Sequence, residues 1–299
     1  MDIRQLAYFV ATVEAGTVSR AAARVGVAQP SLSQQLKSLE DSLGVRLFDR
    51  LPRGMTPTEA GRALLPRARR ILAEAADLEQ NLKRESKSTA GILAVGAIPT
   101  IAPYVLPHAI ASVVEARRGC EVTVREDLTE NVLEALLDCQ IECALIATQP
   151  DDDRIAFEHL RDEELVVVAP ASMRWASAEL RLTDLRDQPT ISLHEMHCLG
   201  RRVDVFCELR RLRPRVVCKM TQLSTILKLV SLGLGVSVVP EMTAAVAREP
   251  GCAYSRLRGE RPVRPLGIAW RKGRRRSAVA MNFATAVQGL LASDRLRMR

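Results

Sequence analysis

LAYFVATVEAGTVSRAAARVGVAQPSLSQQLKSLE, residues 6–40, decides the fold of the first part of the chain. Apolar residues at its start recur with helical spacing, at Leu6, Phe9, Val10 and Val13. This stripe is typical of an amphipathic helix. Thr17 can then cap a second, alanine-rich helix, which Gly26 ends. The stretch therefore predicts two short helices joined by a tight turn.

A third helix is predicted over QPSLSQQLKSLEDSLG, where Pro30 occupies the first turn and its missing N–H costs nothing. Its buried face consists of Leu32, Leu36, Leu39 and Leu43. Its polar face offers side chains that can read base edges or hold phosphates, namely Gln29, Ser31, Ser33, Gln34 and Lys37. An alanine-rich helix, a turn and a polar-faced helix form a helix-turn-helix. The alternative is a structural helical bundle with a polar surface.

The segment VRLFDRLPRGMTPTEAG predicts a two-stranded wing with turn chemistry at Pro52-Arg53-Gly54, and Arg53 is a candidate phosphate contact. A long helix with apolar positions suited to a partner helix is expected from Thr58 to about Lys87. A short polar stretch follows and indicates a hinge. We therefore expect a winged helix-turn-helix domain over residues 1–57 and a linker or dimerisation helix with its hinge over residues 58–90.

The character of the sequence changes at Gly91. Short β-rich runs alternate with helical stretches, the clearest being ILAVGAI, EVTVRED, CALIAT and LVVVAP. Strand–helix alternation indicates a mostly parallel sheet with crossover helices. Further strands are expected near 190–193, 215–219, 236–239 and 266–270. The order of elements predicts a sensor domain over residues 91–299, with two α/β lobes that share a cleft.

Composition limits the class of protein. With 47% hydrophobic and 26% charged residues, the chain is globular. It shows neither a signal peptide nor a membrane-spanning run, so we expect a soluble, cytoplasmic protein. The net charge is +8, and a basic first domain suits a polyanionic partner. The basic cluster at 271–276 fits a solvated loop or a second nucleic-acid contact.

The chain contains seven cysteines and four histidines. No pair has the CxxC spacing of a zinc site, so we expect neither a metal nor a cofactor. In a reducing cytosol the cysteines should be thiols that serve either in packing or in sensing.

Residues 6–72 resemble the DNA-binding head of LysR-type transcriptional regulators almost throughout, and the likeness continues more loosely to the C-terminus. The resemblance implies that the long helix is a dimerisation coil and that the sensor domain is similar to periplasmic binding proteins. It also implies double-stranded DNA and RNA polymerase as partners, a homodimer or homotetramer as the assembly, and action as activator or repressor.

Three segments narrow the likeness to OxyR-type hydrogen-peroxide sensors. They are AIPTIAPYVLPH at 97–108, EDLTEN at 126–131 and HCLGRRVDVFC at 197–207. By this resemblance Cys198 is the peroxidatic cysteine and Cys207 the resolving one. Thr100 and Thr129 would lie near the peroxide, and His197 would flank the thiol.

The residues themselves are compatible with that assignment. A reactive thiol must become a thiolate, which positive charge favours, and residues 197–219 are rich in arginine. The two threonines could instead only cap helices, and the cysteines could only pack. One departure stands out, because OxyR-type sensors follow the cysteine and leucine with Arg-Asp, whereas this chain has Gly200-Arg201.

The sequence thus predicts a DNA-binding regulator that senses peroxide through a reversible Cys198–Cys207 disulfide. The alternative is a regulator of the same type that binds a small organic ligand between the lobes, with Thr100, Thr129 and residues 222–225 as polar contacts. A thiol peroxidase enzyme is a third hypothesis, and the DNA-binding head argues against it.

Overall fold

A computed structural model of the 299-residue chain describes residues 1–51, 54–86, 91–173, 179–259, 261–293 and 296. The chain folds into two compact units. The first is Met1–Ser88 with Leu137–Gln140, and the second is Thr89–Leu136 with Ile141–Arg299. Within the described part of the chain, no helix is both long and apolar enough to cross a membrane.

The first unit contains the predicted helices and wing. Its elements are α1 (Ile3–Ala15), α2 (Val18–Val25), α3 (Gln29–Leu43), β1 (Phe48–Leu51), β2 (Gly54–Pro57) and α4 (Glu59–Ser86). The Asp2 carboxylate accepts a hydrogen bond from the Gln5 backbone and so caps α1. The Thr17 hydroxyl caps α2 as predicted, by accepting from the backbone of Arg20. Gly26 ends α2 in the left-handed conformation, with φ of 71°.

The helices of this unit meet in one core. Phe9 of α1 is fully buried and its ring centroid lies 5.3 Å from that of Phe48 in β1. The wing is fixed to the turn between α1 and α2, because the Met55 backbone donates to the Gly16 carbonyl over 2.8 Å. Gly54 is required there, since a Cβ would lie 2.7 Å from the Gly16 carbonyl oxygen. The wing and α3 therefore form one rigid head.

The second unit is an α/β fold. Its strands are β3 (Ile92–Ala97), β4 (Glu121–Glu126), β5 (Cys143–Ile146), β6 (Ile155–Pro170), β7 (Pro189–Leu193), β8 (Arg215–Met220), β9 (Ser237–Pro240), β10 (Cys252–Ser255) and β11 (Val263–Arg271). Its helices are α5 (Ala102–Ala116), α6 (Thr129–Leu137), α7 (Cys198–Leu209), α8 (Leu223–Ser231), α9 (Glu241–Val246) and α10 (Ala278–Ala292).

The sheets are mixed, which corrects the expectation of a mostly parallel sheet. Strands β4, β3 and β5 are parallel neighbours, and so are β7 and β8. All the pairs that β6 and β11 make are antiparallel. Strand β6 runs from one lobe into the other, and its neighbours β9, β10 and β11 all run in the opposite direction to it.

Strand β6 is longer than predicted, with 16 residues, and begins ten residues before the apolar run LVVVAP. Its first part pairs with β11 in the lobe of β3–β5. Its last part pairs with β9 and β10, which form the second lobe together with β7 and β8. The two lobes predicted from the sequence are therefore present, and one continuous strand runs through both.

Candidate functional site

The polar face of α3 is available to a partner. The side chains of Gln29, Pro30, Ser31, Gln34 and Lys37 are exposed and Ser33 is half-buried. On the opposite face Leu32, Leu36 and Leu39 are buried in the core of the head. Pro30 lies in the first turn, as expected. Arg53, the candidate phosphate contact of the wing, lies outside the described residues.

Side-chain hydrogen bonds orient α3 within the head. The Gln5 amide of α1 donates to the Gln35 side chain and to the Ser38 hydroxyl, each over 3.3 Å. At the other end, the Glu40 carboxylate accepts from the backbone of Leu47 over 2.7 Å and of Phe48 over 3.2 Å. These bonds fix the orientation of α3 within the head.

The thiol segment predicted from the sequence coincides with a helix. Cys198 is the first residue of α7 and is half-buried. His197 is the N-cap residue in an extended conformation, and its side chain makes no capping hydrogen bond. The first N–H groups of a helix have no partner within it. Cys198 therefore lies beside the free backbone N–H groups at the start of α7.

Cys207 lies near the other end of α7 and is buried, with 8% of its surface exposed. Burial, and then the nearby Asp204 carboxylate, raise the pKa of the Cys207 thiol to about 11. The thiol is thus protonated and protected from solvent while α7 is intact.

Thr100 and Thr129 lie at the same edge of the first lobe. Ala97 of β3 pairs with Glu126 of β4 at the carboxyl ends of these parallel strands. Each threonine follows its paired residue by three positions. The carboxyl edge of parallel strands is the usual place for ligands in open α/β sheets.

Neither threonine caps a helix. The N-cap residue of α5 is Ile101, and its side chain makes no capping bond. Thr129 is the first residue of α6 itself. The capping alternative is therefore wrong, and the buried Thr100 hydroxyl instead accepts a hydrogen bond from Arg264 Nη1 over 2.7 Å.

Arg264 belongs to a buried ion pair that the sequence analysis missed. Its Nε donates to Glu163 Oε2 over 2.7 Å, and both side chains are almost fully shielded from solvent. Its Nη2 donates to the Thr100 carbonyl over 3.0 Å. The second Glu163 oxygen accepts from the Met242 backbone over 2.9 Å. Arg264 and Glu163 therefore hold Thr100 in place.

The beginning of α7 is fixed close to this group. Arg202, one turn after Cys198, donates through Nε to the carbonyl of Val263, the residue before Arg264. Arg201 forms an ion pair with Glu130, which follows Thr129, with 3.4 Å between Nη1 and Oε1. Helix α7 of the second lobe is thus bonded to two residues that lie next to this group in sequence: Val263, before Arg264, and Glu130, after Thr129.

His197 is buried next to Cys198, with 7% of its surface exposed. Burial lowers the pKa of this imidazole, and a hydrogen bond with the Thr221 backbone opposes the shift. The neutral ring, which carries no formal charge, is therefore favoured at neutral pH. Among the described residues, no three His, Cys, Asp or Glu side chains cluster as a metal site.

The structure accounts for Gly200. A Cβ at this position would lie 2.6 Å from the Leu193 carbonyl oxygen and 2.7 Å from that of His194. Only glycine lets α7 approach the end of β7 this closely. At the position where the Arg-Asp pattern has arginine, this chain therefore requires glycine, and the next residue, Arg201, pairs with Glu130.

Comparison with known families gives two matches that together span most of the chain. Residues 3–62 match the model of the bacterial regulatory helix-turn-helix protein, lysR family. Residues 86–292 match the model of the LysR substrate binding domain.

Individual proteins are also similar over nearly the whole length. A hydrogen peroxide-inducible genes activator from Haemophilus influenzae is 30% identical over 277 residues, which is 91% of each chain. Full-length OxyR from Pseudomonas aeruginosa matches with a TM-score of 0.75 and 29% identity, covering 96% of this chain and 95% of that one. Full-length CbnR, complexed with target DNA, matches with a TM-score of 0.70 and 27% identity, covering 97% and 100%.

Proposed function

Since this chain belongs to the LysR family of DNA-binding transcriptional regulators, we propose that it senses hydrogen peroxide by reversible formation of a Cys198–Cys207 disulfide. Similar chains carry names that refer to peroxide-inducible genes. Its relatives are regulators, and we propose that the thiol chemistry is a signal and not enzymatic turnover.

One observation supports the proposal above the others. Two consecutive residues of β11 hold the two halves of the site: the Val263 carbonyl accepts from Arg202 of α7, and Arg264 donates to Thr100. We propose that a small oxidant binds between Cys198 and the Thr100 hydroxyl. Both groups would then be held in place before it binds, Cys198 through α7 and Thr100 through Arg264. Thr129 adds a second hydroxyl at the same sheet edge.

The chemistry balances without a cofactor. The Cys198 thiolate attacks one peroxide oxygen, the O–O bond breaks, and the other oxygen leaves as water after taking up a proton. Cys198 is now a sulfenic acid. The Cys207 sulfur then attacks the Cys198 sulfur, the S–O bond breaks, and a second water leaves. Two thiols and one peroxide become one disulfide and two waters.

The second step requires α7 to unwind. Nine helical steps of about 1.5 Å each separate the Cα atoms of Cys198 and Cys207 by ~13.5 Å. A disulfide needs Cα atoms about 4.4–6.8 Å apart. The bond therefore forms only when the segment loops back, and this refolding alters the surface of the second lobe. We propose that this change reaches DNA by altering how sensor domains meet.

The remaining partners are proposed from the family and from the exposed face of α3. We propose that α3 reads double-stranded DNA through Gln29, Pro30, Ser31, Ser33 and Gln34, while Lys37 and Arg53 hold phosphates. We propose a cytoplasmic homodimer that is joined through α4 and presents two heads to DNA. Two dimers would form a tetramer through their sensor units. The DNA-bound assembly would contact RNA polymerase.

The deciding experiment treats the DNA-bound protein with stoichiometric peroxide and measures intact mass and DNA footprint together. Wild type should lose about 2 Da, which corresponds to the two hydrogens lost from the two thiols in forming one disulfide. Cys198→Ser should show neither the mass loss nor the footprint change. Cys207→Ser should gain one oxygen on Cys198 without the intramolecular bridge.

An unchanged footprint response in Cys198→Ser would overturn the proposal. In that case the cleft would be assigned to a small organic ligand, with Thr100 and Thr129 as its polar contacts.

A further inference from the structure

A cavity of about 40 Å³ lies beneath α7 in the second lobe. The inner face of the helix lines it, through Leu199, Gly200, Val203, Asp204 and Cys207. Strands β6, β7 and β9 form the opposite wall. Protein interiors are close-packed, and voids larger than a water molecule are few. Helix α7, which must unwind for the disulfide to form, therefore packs over a cavity.

The cavity wall contains one acidic side chain on α7. Asp204 is half-buried, and burial raises the pKa of its carboxyl, with Lys219 of β8 opposing the shift and Glu195 and Glu208 adding to it. Lys219 itself is paired with Glu195 over 3.1 Å. Because Asp204 is poorly solvated and Lys219 is bonded to Glu195, an open conformation in which water reaches this carboxylate is favoured.

The two ends of α7 are held differently. At its start, Gly200 contacts the Leu193 and His194 carbonyls closely, and Arg202 is bonded to Val263. Over its middle and end, the inner face meets the cavity, while Val205 and Leu209 on the outer face are 53% and 78% exposed. In the part of the helix that carries Cys207, the inner face thus meets both packed apolar side chains and the cavity, while the outer face meets solvent.

We infer that the cavity and the Asp204 carboxylate set the rate at which Cys207 reaches Cys198, by lowering the cost of unwinding α7. The inference rests on the proposed function and concerns its second step alone. Val203 and Asp204 act through the helix and are positioning residues. The first step, oxidation of Cys198, does not require α7 to open and is independent of both.

The test uses the full-length protein with two variants and two matched controls. Val203→Ile adds one methylene inside the cavity, and Asp204→Asn removes the buried charge while keeping the shape. Val205→Ile adds the same methylene on the exposed face of α7, and Asp187→Asn removes the same kind of charge from an exposed side chain that does not line the cavity.

Rapid mixing with peroxide, quenched by a thiol-blocking reagent and read by mass spectrometry, separates the two steps. Val203→Ile should slow disulfide closure by about threefold, the effect expected from burying one methylene, and Asp204→Asn should slow it as well. Sulfenic acid formation, measured with each change added to Cys207→Ser, should stay at its reference rate. Both controls should close like wild type.

Hydrogen exchange on the reduced protein gives a readout that needs no peroxide. The amides of α7 should exchange more slowly in Val203→Ile and Asp204→Asn than in wild type or the controls. Unchanged or faster exchange, or closure at the wild-type rate, would overturn the inference and leave the proposed function standing. A wild-type protein that forms no disulfide would overturn the proposed function and the inference with it, so the two failures are distinguished by whether wild type forms the bond.

Discussion

Arg264 of β11 and Glu163 of β6 are register partners in an antiparallel ladder and form an ion pair over 2.7 Å in a fully buried environment. Their pairing spans 101 positions of sequence. Because Arg264 also binds the Thr100 hydroxyl and carbonyl, the pair connects the stability of the sensor unit to the geometry of the proposed peroxide site.

Glu163→Gln should destabilise the sensor unit by about 3–5 kcal/mol, because it leaves Arg264 charged and without its buried counter-ion. It should also slow oxidation of Cys198, since Thr100 loses its fixed position. Urea unfolding and peroxide kinetics measure the two effects. Asp152→Asn breaks the exposed pair with Arg154 and serves as the control, with little change expected in either quantity. Wild-type kinetics in a folded Glu163→Gln protein would contradict the positioning role.

Thr100→Val keeps the shape of the side chain and removes its hydroxyl. Loss of one hydrogen bond to the reacting peroxide should slow Cys198 oxidation by about twofold to tenfold. Thr129→Val should act in the same direction. Thr123→Val, on the exposed face of β4, is the matched control and should react like wild type. Equal rates in all three variants would remove the hydroxyls from the site.

The Cys207 thiol makes the stability of the reduced protein depend on pH. Its pKa is about 11 when folded, above the ordinary value of 9.0. The unfolded chain therefore loses the proton first, and stability falls as pH rises from about 9 towards 11. Below pH 9 this contribution is fully present. Cys207→Ser should show a smaller loss across that window in urea titrations, and an identical loss would mean that another group causes it.

Protection of Cys207 can also be measured directly. Near pH 9, iodoacetamide should label this residue much more slowly in the folded, reduced protein than in protein unfolded by urea. Peptide mapping after timed quenching gives both rates. Similar rates in the two states would show that α7 does not shield the thiol.

On DNA, the double variant Ser33→Ala, Gln34→Ala should lose about 1–3 kcal/mol for each base contact removed and should discriminate less between sites. Lys37→Ala should instead weaken binding to all sequences and reduce the salt dependence by about one ion. Ser42→Ala changes the last turn of α3, where the hydroxyl bonds to the Leu39 carbonyl, and is the control. Retained sequence preference in the double variant would remove these residues from the reading surface.

The exposed apolar residues of α4 provide a test of assembly. Leu78 is 62% exposed, whereas Leu72 packs against the core of the head. Leu78→Glu should therefore weaken dimerisation and DNA binding without unfolding the head, and Leu72→Glu should also destabilise the head. Light scattering and circular dichroism separate these outcomes. A stable wild-type monomer at micromolar concentration would contradict the proposed dimer.

The head was the most predictable part because its signals are local. The apolar stripe of α1, the Thr17 cap and the glycine at the end of α2 all act within a few residues. The first half of β6 was missed for the opposite reason. Its sequence IAFEHLRDEE is polar and becomes a strand through pairing with β11, about a hundred positions away.

The residues of the candidate site also fall into two groups, those indicated by the local sequence and those brought together only by the fold. Cys198, Cys207 and the threonines were found by resemblance over short segments. Arg264 and Glu163 carry no local signal, since one arginine among prolines and one glutamate in an acidic run look like surface residues. Only the pairing of β6 with β11 brings them together and buries them. The need for glycine at position 200 was likewise visible only once α7 lay against β7.

Strand β6 continues unbroken from one lobe to the other, and the Glu163–Arg264 pair lies within its ladder with β11. A clamshell closure around a ligand would have to bend this ladder and disturb a buried charge pair. The sensor domain is therefore stiff at the position where a protein that closes its lobes around a ligand needs a flexible hinge. Such stiffness suits an oxidant that modifies a cysteine of one helix covalently and whose oxygen atoms then leave as water.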